Sequence, residues 1–173
     1  TPLYSSAASD VYKRQSSDTV FKGSMCFVAG NGDYRLRTRE TKASTDELEL
    51  EALTLALKYL LKVGARKAVI ESDSVAALEA VEQIVHKRGS KASRPGRTWR
   101  GVSSGARSRF QQAWGDIQGQ CEVDIRRVLG HAGDPLNRAA DQIAYMGLRA
   151  IAHPMKQSLS LIHISEPTRR TPI

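Results

Sequence analysis

The order of strand and helix patterns along the chain predicts an α/β fold, a mixed sheet covered by helices. Three observations carry this. An apolar run closed by Gly30-Asn-Gly-Asp33 and followed by an alternating stretch reads as a β-hairpin. A long helical stripe and a second, shorter one bracket a Val/Ile strand near residues 68–70. An alternating strand at 121–125 then leads directly into a glycine-bracketed loop and a last helix.

Each element has a local reason. Gly23-Ser-Met-Cys-Phe-Val-Ala29 is apolar enough for a buried strand. Asn31-Gly32 tolerates the positive backbone angles of tight hairpin turns, so Tyr34–Arg39 is expected to pair back on it. Ser44 with Glu47 three residues on has the form of a capping box. Leu48, Ala52, Leu55, Ala56, Tyr59 and Leu60 then continue a core-facing helix to about Val63, with Gly64 as its C-cap. Ala68-Val-Ile70 starts a buried strand that leaves through Glu71-Ser-Asp73. A helix with Val75, Leu78, Val81 and Val85 turned inward follows. Residues 106–117, with Phe110, Ala113 and Trp114, form a further helix, and Cys121–Ile125 alternates as a strand. After it, Asp134 is placed to cap the last helix and Pro135 suits its first turn. Leu136, Ala140, Ile143 and Ala144 make its apolar stripe, with Asp141 beside it.

Composition narrows the partners. The chain of 173 residues fits one domain, and 26 basic against 18 acidic residues leave a formal charge of +8. That balance favours a polyanionic partner, although a solvated basic surface gives the same count. The basic residues concentrate in an insertion over 87–109, with eight Lys/Arg and no Asp/Glu. Lys87, Arg88, Lys91, Arg94, Arg97 and Arg100 lie there around Trp99, suited to phosphate contacts and to stacking. A disordered basic linker is the alternative. No apolar run is long enough to span a bilayer, so no membrane partner is expected. Cys26 and Cys121 have neither disulfide-framework nor metal spacing. An intracellular setting, cytoplasmic or nuclear, follows as the expectation. Residues 1–15 and 153–173 resemble translated sequencing-adapter read-through and are expected to be artefactual or disordered, leaving 16–152 as the domain.

The segment Gly130-His-Ala-Gly-Asp-Pro-Leu-Asn-Arg-Ala-Ala-Asp141 resembles the C-terminal motif of type 1 ribonucleases H, particularly those of retroelement reverse transcriptases. Gly130, His131, Gly133, Asn137 and Asp141 match its pattern Gly-His-x-Gly-x-x-x-Asn-x-x-x-Asp. Upstream, Glu49-Leu-Glu-Ala-Leu-Thr-Leu-Ala-Leu57 fits the family's first helix, and Ile70-Glu-Ser-Asp-Ser74 its next aspartate. The resemblance covers about 18–152. It implies a five-stranded mixed sheet flanked by helices, and cleavage of the RNA strand of RNA/DNA hybrids with two Mg²⁺ ions, Mn²⁺ being the alternative. It also implies a reverse transcriptase domain as neighbour in a parent polyprotein.

The resemblance further implies that Glu49, Asp73 and Asp141 are catalytic metal ligands, with His131 assisting proton transfer or product departure. Taken singly, Glu49 reads as a solvated helix residue, Asp73 as a helix N-cap, Asp141 as a surface charge and His131 as a turn-bonded imidazole. The family's first aspartate, usually in Asp-Gly-Ser at the end of a central strand, has no such match. Asp18 is the nearest analogue, and the native first strand is expected to be truncated or replaced. Thr45 and Asp46 stand where the family commonly has substrate-reading asparagines. Thr45 can still donate a hydrogen bond and is grouped, with Asn137 and the insertion, among the nucleic-acid contacts. The rival expectation is a catalytically impaired nucleic-acid-binding remnant. A related nuclease acting on duplex DNA is a third.

Overall fold

A computed structural model describes residues 2–6, 21–86, 102–128 and 134–152. Its centre is one five-stranded sheet, built from β1 (Pro2–Ser6), β2 (Phe21–Ala29), β3 (Tyr34–Thr41), β4 (Lys67–Ser72) and β5 (Glu122–Arg127) in the order β3-β2-β1-β4-β5. Helices α1 (Thr45–Val63), α2 (Val75–His86), α3 (Ser104–Ile117) and α4 (Pro135–Ala152) cover it. The sheet is mixed. β1 runs antiparallel to β2 but parallel to β4, and β4 runs parallel to β5.

The N-terminus differs from expectation in one segment. Residues 1–15 are expected to lie outside the domain, yet Pro2–Ser6 within them form the central strand. The reason lies in the backbone. β2 and β4 each present a row of N–H and C=O groups toward the gap between them, and any short extended segment can satisfy both rows. Leu3 sits opposite Ala29 on one side and Ile70 on the other. The expectation of a replaced first strand therefore meets a filled strand position, occupied by a five-residue segment.

Pleating sorts the core into two layers. Phe27 and Ala29 of β2, with Ala68 and Ile70 of β4, pack against Leu50, Leu53 and Leu57 of α1 and against Phe110 and Ile117 of α3. Cys26 and Val28 point the other way and pack under Ala140 and Ala144 of α4. Thus α1, α2 and α3 share one face, and α4 crosses the other. α4 can lie close because Gly147 has no side chain. A Cβ there would stand 2.8 Å from Leu36 Cδ1 and 2.9 Å from Thr38 Cγ2.

The local signals hold with small shifts. The hairpin turn closes with Ala29 N–H donating to Asp33 C=O at 2.7 Å, and Gly32 takes φ 89°. Asp134 Oδ1 accepts from Leu136 N and Asn137 N at 2.9 and 3.0 Å, capping α4 as expected. Ser44 caps α1 by accepting from Glu47 N at 3.1 Å. Glu47, the other member of the expected capping box, also accepts from Ser103 N through its Oε2 at 3.0 Å. In α2 the inward stripe is Ala77, Ala80 and Val81, whereas Val75 is 45% exposed. The insertion is shorter than 87–109, since α3 begins at Ser104 and contains Arg107 and Arg109. Both cysteines are buried and neither is in a disulfide; burial pushes the Cys26 thiol up to about 12. Among the described residues no helix is long and apolar enough to cross a membrane.

Candidate active site

The C-terminal ends of β1 and β4 define one end of the sheet. Tyr4 is opposite Glu71, so two residues on, Ser6 and Asp73 are level. β2 runs the opposite way, with Cys26 across from Ser6, and its Gly23 end extends to the same side. The start of α1 sits there too. Gly23 leaves room for Leu48, whose Cδ1 would be 2.9 Å from a Cβ at that glycine. The first turn of α4 reaches the same end from the other face, where Asn137 Nδ2 donates to Asp73 Oδ2 at 3.4 Å. The start of α1, the end of β4 and the first turn of α4, the elements that carry Glu49, Asp73 and Asp141, therefore lie at one end of the sheet, with α1 and α4 on opposite faces.

The plainer roles of these acids are not the ones observed. Glu49 is 6% exposed rather than solvated. Asp73 does not cap α2, because Ser74 does: its Oγ accepts from Ala77 N at 3.2 Å and its C=O from Leu78 N at 3.1 Å. Asp141 is half-buried one helical turn beyond Asn137.

The other acids nearby are held by arginines. Glu51 pairs with Arg39 at 2.8 Å and with Arg109, which also lies 3.9 Å from Glu47. Glu71 Oε1 accepts from Arg126 Nε at 2.8 Å and stands 2.7 Å from its Nη2. These pairs join separate elements and left no mark in the local patterns.

Asn137, expected to touch nucleic acid, is 3% exposed and turned to Asp73. Its burial makes it a brace. Thr45 opens α1 and is half-buried. His131, Asp18, Lys87, Arg88, Lys91, Arg94, Arg97, Trp99 and Arg100 lie outside the described residues. Among the described residues no group of three or more His, Cys, Asp and Glu side chains is arranged to hold a metal ion. In donor type the sheet end does fit a hard divalent cation. Its carboxylates are oxygen ligands, and the buried Asn137 Oδ1 has no hydrogen-bond partner among the described residues. A groove of about 530 Å³ between α2, α3 and β5 is lined by Leu78, Val85, Trp114, Val123 and Glu82, and by none of these site residues.

The RNase H family matches residues 14–149, a span that begins after β1 and takes in Asp18, Glu49, Asp73, His131 and Asp141. No curated protein sequence matches the chain. With the mixed five-stranded sheet and this match across most of its length, the chain belongs to the RNase H family, ribonuclease hydrolases that generally depend on a divalent metal.

Proposed function

We propose that the chain hydrolyses the RNA strand of RNA/DNA hybrids, with Glu49, Asp73 and Asp141 as metal ligands and Asp18 as a fourth. The convergence of α1, β4 and α4 on one sheet end carries the reading. Two Mg²⁺ ions, or Mn²⁺, would supply water activation and stabilise the departing oxygen. Asp73 offers its carboxylate from a fixed strand end. Asn137 keeps that carboxylate oriented, and Asp141 adds charge one turn further along α4. His131 acts on protons near the leaving group.

The basic insertion, Lys87, Arg88, Lys91, Arg94, Arg97 and Arg100 with Trp99, grips the hybrid through its phosphates, and Thr45 reads the groove. The neighbouring module in a parent polyprotein is a reverse transcriptase domain. A labelled hybrid incubated with Mg²⁺ tests the reading: cleavage that stops with a chelator supports it. Cutting of duplex DNA but not hybrid would mark a DNA-acting relative instead.

A second reading, a nucleic-acid-binding remnant without catalysis, is favoured by one observation. No residue of Pro2–Ser6 is acidic, so the strand end beside Asp73 brings no carboxylate of its own. Binding without cleavage in the same assay selects it.

A further inference from the structure

We infer that Arg109 is a positioning residue for Glu49, an inference that rests on the reading of the site given above. Successive residues on a helix are turned by about 100°. Glu47 and Glu51 therefore share one face of α1, and Glu49 lies about 200° around from both, on the arc of Ala52, Leu53 and Ala56. Apolar burial gives the same orientation, since Lys58 and Lys62 further along α1 are exposed on the arc of Glu47 and Glu51. The first half is less strongly set by it, because every residue from Leu48 to Thr54 is buried.

The charges hold that half in place. Arg109 reaches from α3 to both Glu47 and Glu51, and Arg39 holds Glu51 from β3. Ser103 N–H fixes Glu47 at 3.0 Å. Glu51 is 5% exposed, so turning α1 would strand a buried carboxylate, which is far more costly than an apolar slip. The clamp thereby fixes the setting of the first half of α1, and with it the direction of Glu49.

The experiment compares the parent chain with R109Q and with R109M/E51L, which removes the buried carboxylate together with Arg109 and leaves Arg39, a third exposed, to water. Readouts are Mn²⁺ affinity by calorimetry, and kcat and KM on a labelled hybrid. Expected for both variants is a Mn²⁺ affinity about tenfold weaker and a kcat about tenfold lower, with KM within about twofold. R109K should recover part of the loss. Should R109Q fail to fold, R109M/E51L decides. A stable R109M/E51L that binds Mn²⁺ and cuts like the parent overturns the proposal. A parent that neither binds Mn²⁺ nor cuts hybrid overturns the site assignment itself, and the role of Arg109 with it.

Discussion

Asn137 on α4 donates to Asp73 at the end of β4, 3.4 Å away, and the two meet although 64 residues separate them. This contact ties the helix carrying Asp141 to the strand carrying Asp73. Asp73→Asn keeps the size of the side chain and removes its charge. Hybrid cleavage should fall by at least about 100-fold with binding nearly unchanged, since a lost transition-state contact lowers kcat. Normal cutting by this variant in a labelled-hybrid assay would remove Asp73 from the site.

Replacing the brace itself tests the geometry. Asn137→Ala deletes one hydrogen bond at a residue 3% exposed, which should cost about 1–2 kcal/mol. A melting curve should shift down by roughly 3–6 °C. Cleavage should drop as well, because Asp73 is no longer oriented. Loss of stability with undiminished kcat would make Asn137 purely structural.

Glu71 and Arg126 are directly paired across β4 and β5, and Glu71 is 5% exposed. Arg126→Met leaves that carboxylate buried without its cation. Because Arg126 is itself about half exposed, the cost should lie below the full buried-pair penalty, near 2 kcal/mol. Adding Glu71→Gln should return most of it. A denaturant titration of the single and double variants gives the comparison, and equal stability of parent and Arg126→Met would show that water screens the pair.

The hairpin tip predicts a pH dependence. The Tyr59 hydroxyl, donating at 2.5 Å, holds the Asp33 carboxyl below its usual range, helped by the Asn31 amide and by the charge of Arg35. The same bond pushes Tyr59 up. Asp33 has its lower pKa in the folded state. Its contribution is therefore present above the unfolded value of about 4 and is lost as pH falls through the folded one. Tyr59 has its higher pKa when folded. Its contribution is present below about 10 and is lost as pH rises through the folded value. Melting temperatures of Tyr59→Phe and the parent should differ most at neutral pH and converge at both extremes. A constant difference across pH would mean that the bond contributes nothing.

What the chain disclosed locally and what it did not follow from range. The Asn31-Gly32 turn, the Ser44 and Asp134 caps and Gly64 at φ 66° depend on neighbours within a few residues, and each was readable. Asp73 and Asp141 were readable as motif positions. The role of Ser74 was not, because two adjacent residues could both cap α2 and only tertiary contact with Asn137 separates them. β1 was missed because Pro2–Ser6 has little strand character by itself; its place comes from the backbone rows of β2 and β4. The pairs of Arg39, Arg109 and Arg126 join separate elements and have no local signature.

The end of β1 offers the sharpest test of the fourth carboxylate. Ser6 is level with Asp73 by the register of the two parallel strands, and the family resemblance implies an aspartate at the end of this strand. Ser6→Asp adds a carboxylate beside Asp73, where mutual repulsion is relieved by a divalent cation. With Asp18 as the fourth ligand, hybrid cleavage should be unchanged, whereas a site short of a ligand would gain rate and demand less Mg²⁺, because an added ligand charge tightens the ion. In the parent chain, Asp18→Asn should then lower cleavage severely. An unchanged rate in Ser6→Asp together with a large loss in Asp18→Asn would assign the fourth ligand to Asp18. A gain in Ser6→Asp with a silent Asp18→Asn would instead show that the strand end is where the chain falls short of full activity.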